Sequence, residues 1–178
     1  DLKKLDEVSI AELGIGRKFQ KPTIFENQTV YDNILLSLDN PRGVIANLGY
    51  VTTKSTSNKI DELLDIIRLT KYKNLEGSNL SHGQKQWLEI GMLLAQDPDV
   101  LLVDEPAAGM TDAETADTAK LLINIAKTKS VIVVEHDMEF IRALNSKVTV
   151  LHEGAVLAEG SLDQVSKNQE VIDVYLGR

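Results

Sequence analysis

The chain contains no cysteine, which excludes disulfides, thiol catalysis and cysteine-based metal sites. No apolar run approaches the roughly 18 residues that span a bilayer, and no charged-then-apolar leader opens the sequence. Lys and Arg form no block and the formal net charge is −8, a balance that argues against a nucleic-acid or anionic-lipid surface. Nowhere does G-x-x-x-x-G-K-[ST] occur, so no glycine loop of that type is present to cradle phosphate. What remains is 178 residues, 43% hydrophobic and 26% charged, enough for one globular domain with a real core. Together these features predict a soluble chain, expected in the cytoplasm.

The stretch from Leu80 to Pro106, LSHGQKQWLEIGMLLAQDPDVLLVDEP, organises the rest. A polar turn, Leu80 to Gln84, leads into a helical pattern running to about Gln96. Its unsatisfied N–H groups, with Ser81 and the close approach allowed by Gly83, suit an anion. An apolar run, Val100 to Val103, then ends in the adjacent carboxylates Asp104 and Glu105. A buried strand with that ending places a metal-binding carboxylate and a candidate general base at the carboxyl edge of a sheet. Each part alone also has a plain reading, as a helix cap and as a solvated loop.

Around this stretch the pattern reads as alternating elements. Residues 1 to 16 suggest a short amphipathic helix with Asp6 or Ser9 as cap and Gly14 as stop. Gly14-Ile15-Gly16 lacks the third glycine and preceding strand of a dinucleotide fingerprint. Residues 15 to 22 read as a short strand stopped by Pro22. Residues 25 to 79 read as a mostly helical insert: Thr29 caps Val30 to Leu38, and Asn58 caps Lys59 to Leu69. Asn40 to Ser57 is polar and reads as loop or weak helix. Thr53 to Thr56 contains a Lys-Ser pair without the glycines a phosphate loop needs, and reads as solvated loop.

Trp87, Ile90, Gly91 and Leu94 share one helical face and read as core. Asp112 is expected to cap a helix reaching Ala126. Ser130 to Glu135 reads as a second buried strand, apolar on both faces as in a parallel sheet covered by helices, followed by His136. Lys147 to Gly160 reads as two strands around a glycine turn. Ser161 caps a short helix and Glu170 to Leu176 forms another. His152, with no second ligand at metal spacing, reads as a turn residue.

The central stretch resembles the signature sequence and Walker B segment of ATP-binding cassette (ABC) ATPases, in which LSGGQ precedes an apolar strand ending in Asp-Glu-Pro. His82 stands where that family most often has glycine. LSHGQKQWLEIGMLLAQDP with LLVDEPAAGMTDAET is similar to the ATPase subunits of urea importers, within the branched-chain amino-acid importer group. The resemblance covers essentially all the residues but starts behind the phosphate-loop helix, so it implies an α/β fold, a truncated P-loop NTPase with a parallel sheet core, flanking helices and an inserted helical subdomain. It implies three parts: 1–24 with the start of the core, 25–98 as the helical subdomain, and 99–178 as the remaining core.

The same resemblance implies the chemistry. ATP and Mg²⁺ are the expected ligands. Gln20 stands at the Q-loop position, reaching the metal and its water; Asp104 orients the metal through its water shell. Glu105 polarises the attacking water, and His136 contacts the γ-phosphate. Ser81, His82, Gly83 and Gln84 act in trans, on nucleotide held by a second ATPase subunit. Residues 107 to 112 correspond to the D-loop, with Thr111 where the family usually has Asp.

Phe25, Val30 and Tyr31 are candidates for contact with transmembrane permease subunits, on the inner face of the cell membrane; no nucleic acid is expected. The implied function is coupling of ATP hydrolysis to uptake of urea or a related small amide or amino acid. Alternatives are a non-catalytic interaction module and a soluble, non-transport ABC ATPase. Without a phosphate loop the chain alone is expected to lack tight ATP binding and ATPase activity. Unpaired strand edges are expected to drive it into a dimer or a swapped assembly.

Overall fold

The computed structural model describes residues 2–19, 22–38 and 53–175. Gln20 and most of the polar stretch 40–57 therefore lie outside the described residues. The chain divides into two compact units, residues 1–134 and 135–178.

The first unit is built on a three-stranded parallel sheet in the order β1 (Ile15–Lys18), β2 (Val100–Asp104), β3 (Ser130–Val134). Its register pairs Lys18 with Val103 and Asp104 with Val134, so the strands end together at one carboxyl edge. Ahead of β1, α1 (Glu7–Glu12) is capped by Asp6, whose carboxylate accepts from the Ser9 N–H, and the turn out of it uses Gly14 at φ +76°. The two inner side chains of β2, Leu101 and Val103, are buried. β3 departs from the expectation of a strand covered on both faces: Ile132 and Val134 are 55% and 61% exposed. The alternating pattern puts Ser130, Ile132 and Val134 on one exposed face of β3, with Val131 and Val133 half-buried on the other.

The helices of this unit pack around one long helix, α4 (His82–Ala95). α2 (Val30–Ser37) is capped by Thr29 as expected, while α3 spans Lys54–Ile66. The cap of α3 is Thr53, whose hydroxyl accepts from the Thr56 N–H, so the helix starts several residues before Asn58. The segment read as solvated loop is its first turn; a local side-chain cap, not the apolar pattern, sets the boundary. Gly91 makes the packing possible: a Cβ there would lie 2.5 Å from Ile67 Cδ1 and 2.9 Å from Ile34 Cδ1. Trp87 and Ile90 are core, as their spacing predicts. Val30 is fully buried beside them, and so is core rather than a contact surface, whereas Phe25 is exposed.

The second unit comprises α6 (Met138–Leu144), the hairpin β4 (Val148–His152) and β5 (Ala155–Gly160), then α7 (Leu162–Val165) and α8 (Gln169–Tyr175). Its turn places Glu153 and Gly154 at φ +49° and +79°, the left-handed pair that suits a tight hairpin. No helix among the described residues is long and apolar enough to cross a membrane.

Candidate nucleotide site

The N-terminus of α4 is a complete capping box. Ser81 Oγ accepts from the Gln84 N–H at 3.2 Å, and Gln84 Oε1 accepts from the Ser81 N–H at 2.9 Å. The cap is local chemistry, a Ser with a Gln three residues on. The backbone N–H and the side-chain oxygen of Gln84 are therefore engaged in the box, and the N–H groups of His82 and Gly83 stand at the first turn of the helix.

A second capping box lies opposite. Thr111, not Asp112, is the N-cap of α5 (Asp112–Ile125), and Glu114 returns to it. Glu114 Oε2 accepts from the Thr111 N–H at 3.0 Å and from its hydroxyl at 2.9 Å. Asp112 becomes the first helical residue, because Thr111 has the box partner at the right spacing and Asp112 does not.

The two boxes touch. The Ser81 hydroxyl donates to Glu114 Oε1 at 3.1 Å. A Cβ on Gly83 would stand 2.7 Å from that same oxygen, so glycine is what admits the carboxylate. The Thr111 N–H and then its hydroxyl hold the Glu114 carboxyl below the usual range, with smaller help from Ser81 and His82. His82 Nε2 lies 3.1 Å from the Ala108 carbonyl oxygen and 3.3 Å from Gln86 Nε2. Deeper in, the Trp87 indole N–H donates to Thr118 Oγ1 at 2.9 Å, joining α4 to α5. The start of α4 is thus fastened to the loop that leaves β2.

That loop begins at the two carboxylates. Asp104 ends β2 with its side chain about one-third exposed, 3.7 Å from the Arg17 guanidinium, which in turn lies 4.7 Å over the Phe19 ring. Glu105 follows in the left-handed region at φ +42°, its N–H donating to the Val134 carbonyl at 2.9 Å. A non-glycine residue in that conformation stores strain of a kind that gathers at working sites. Among the described residues no group of three or more His, Cys, Asp or Glu forms a metal cage. A lone accessible carboxylate fits Mg²⁺ all the same, since that ion takes one or two carboxylates and completes its shell with water and phosphate oxygens.

Comparison with known proteins settles the family. The ABC transporter family profile matches residues 1–108, and a branched-chain amino acid ATP-binding cassette transporter profile matches residues 155–178. This chain belongs to the ABC transporter ATP-binding family. It is 30% identical to the high-affinity branched-chain amino acid transport ATP-binding protein LivG of Escherichia coli, over 99% of this chain and 72% of that protein. It has the fold of a nucleotide-free ATP-binding cassette from an ABC transporter, with a TM-score of 0.80 at 24% identity over 98% of this chain and 73% of the other. A dimeric cassette in a post-hydrolysis state, bound to ADP and Pi, superposes with a TM-score of 0.70 at 25% identity, covering 89% of this chain and 68% of that one. ABC ATPases hydrolyse ATP in step with transport, and the α/β sheet with flanking helices is theirs.

Within this cassette the segment after β1 is anchored to α4 from beneath. Lys18 is fully buried, its ammonium 3.7 Å from Glu89 Oε2 and donating to the Phe19 carbonyl at 2.8 Å. Glu89 Oε1 accepts from the Thr23 N–H at 3.1 Å. Burial pushes the Glu89 carboxyl up, opposed by Lys18. Two residues were missed in the sequence reading: Glu89, which no local motif marks, and Glu114, which the Thr-x-x-Glu spacing of a capping box would have found. His136 belongs to the second unit, where its imidazole is 79% exposed and its N–H donates to Glu135 Oε2 at 2.9 Å.

Proposed function

We propose that the chain is the ATP-binding cassette of an importer, working as one of a pair and driving uptake of a small amide or amino-acid solute, urea or a branched-chain amino acid. The observation that carries this reading is the link, within one unit, between the signature turn at Ser81 and the loop leaving Asp104 and Glu105. The likeness to LivG supports the solute class, and the likeness to a dimeric cassette supports pairing. His82 in LSHGQ is the feature that favours urea.

In this reading Ser81 and the N–H groups beside it at His82 and Gly83 donate to the terminal phosphate of nucleotide held by the other subunit, with Gln84 closing the cap behind them. Asp104 and Gln20 would hold Mg²⁺, which when bound would neutralise charge on the phosphate oxygens. Glu105 takes the proton of the attacking water. His136 steadies the transferring group. Residues 25–98 form the helical subdomain that meets the permease, with Phe25 and Tyr31 on that surface, at the inner face of the membrane. The chain by itself has no ATPase activity, because it has no glycine loop to hold the phosphates.

The test is ATPase activity of the full-length protein with and without its membrane subunits. Glu105→Gln is expected to lower turnover by ~10²–10⁴-fold while ATP binding is kept. Unchanged turnover in that variant removes Glu105 from the mechanism. Uptake of labelled urea against labelled leucine in the reconstituted transporter decides the solute.

A further inference from the structure

The contact between Ser81 and Glu114 is more than either cap requires. Both bonds that Thr111 donates to Glu114 go to Oε2. Oε1 is left over from the capping box and takes the Ser81 hydroxyl proton instead. Ser81 meanwhile completes its own box by accepting from the Gln84 N–H, which needs no proton from the hydroxyl. A serine hydroxyl has one proton and donates it to one acceptor at a time. In this structure that acceptor is a carboxylate, seated at the start of α4 where the helix favours negative charge. Gly83 is the residue that leaves room for it.

We propose that Glu114 is a positioning residue acting through Ser81: it holds the hydroxyl proton of the signature turn, and an incoming phosphate must take that proton from it. The inference rests on the proposed trans action of the signature turn. Glu114 then sets the nucleotide concentration at which two cassettes close, because the phosphate replaces one anion-accepted hydrogen bond and approaches a charge of its own sign. A purely structural Glu114 has the opposite signature, since loosening the turn weakens closure.

Glu114→Gln separates the two roles. Glutamine serves in a capping box as well as glutamate, so the Thr111 cap survives with its acceptor oxygen, while the amide NH₂ turned toward Ser81 donates rather than accepts. The measurement is sedimentation of the full-length protein against a non-hydrolysable ATP analogue with Mg²⁺, with thermal unfolding to verify the fold. E114Q is expected to shift the dimerisation midpoint to about threefold to tenfold lower nucleotide, the size of one hydrogen bond at an accessible site. The gain is expected to disappear in the Ser81→Ala background, as coupled residues require. Unchanged or weaker closure in E114Q overturns the proposal, as does an equal gain with and without Ser81. If E114Q melts early, Glu114→Asp is the second arm: it keeps the charge on a shorter chain that releases Ser81, and closure no tighter than wild type again overturns the proposal. Absence of nucleotide-driven dimers in the wild type itself sinks the trans reading, and this inference with it.

Discussion

The two ends of the helix–loop–strand unit are held in different ways. The signature turn is fastened by its own chain on three sides, through Gln84 in its cap, Glu114 on the Ser81 hydroxyl and the Ala108 carbonyl at His82. The carboxylate edge is set by the parallel sheet and by the left-handed backbone at Glu105, and the ion pair at Asp104 spans 3.7 Å between accessible groups. The difference teaches where this molecule supplies its own counter-charges. At the turn an internal anion is in place. At the edge a distant guanidinium leaves Asp104 accessible to a cation.

The largest effect on that contrast is expected beneath the turn, where α4 is anchored. Glu89→Ala removes the carboxylate beside the buried Lys18 ammonium and the acceptor of the Thr23 N–H. Breaking a buried pair on one side costs about 3–5 kcal/mol, and urea unfolding measures it. A loss below about 1 kcal/mol would mean that the turn is not anchored there. The pH slope gives a second reading. Burial raises the folded Glu89 carboxyl above its unfolded value, so just above the ordinary glutamate range the folded chain holds a proton that the unfolded chain has released. This group therefore makes stability fall as pH rises through that window, and the variant lacks the slope.

A smaller effect is expected at the second box. Thr111→Ala deletes the cap of α5 and one of the three groups that donate to the Glu114 carboxylate, and is expected to cost about 0.5–2 kcal/mol by thermal unfolding. Asp112→Ala, which removes no cap, is expected to leave stability within about 0.5 kcal/mol of wild type. Equal losses in both would return the cap to Asp112. The smallest effect is expected at the carboxylate edge. Arg17→Met removes an accessible pair, about 0–1 kcal/mol in stability that fades with salt. A larger, salt-independent loss would show the edge to be as tightly bound as the turn.

Much of the candidate site was legible because it is local. Ser81 as cap, the carboxylates ending β2 and the core face of Trp87 and Ile90 all follow from spacings of a few residues, and the structure has them there. Apart from Val30, which is core and not a contact surface, the errors were of two kinds. At Thr53 and Thr111 a threonine cap outcompeted the expected Asn58 and Asp112, a matter of which side chain reaches the N–H three residues on. At β3 an apolar run was taken for a covered strand, but Ile132 and Val134 lie on an open side of the sheet. Hydrophobic pattern reports what a strand prefers, not what lies against it.

The sequence by itself determined the family, the order of the elements apart from α6, and the residue types at the starts of α2 and α4 and the end of β2, because caps, periodicity and motifs act over one or two turns of chain. Only the tertiary structure decided that Ser81 meets Glu114, that His82 meets the Ala108 carbonyl and that Lys18 lies buried against Glu89. Those meetings join residues far apart along the chain, and their geometry exists only once α4 has packed between the sheet and its neighbouring helices. A side chain at Gly83 would push the Glu114 carboxylate from its place beside Ser81 while leaving every local motif readable.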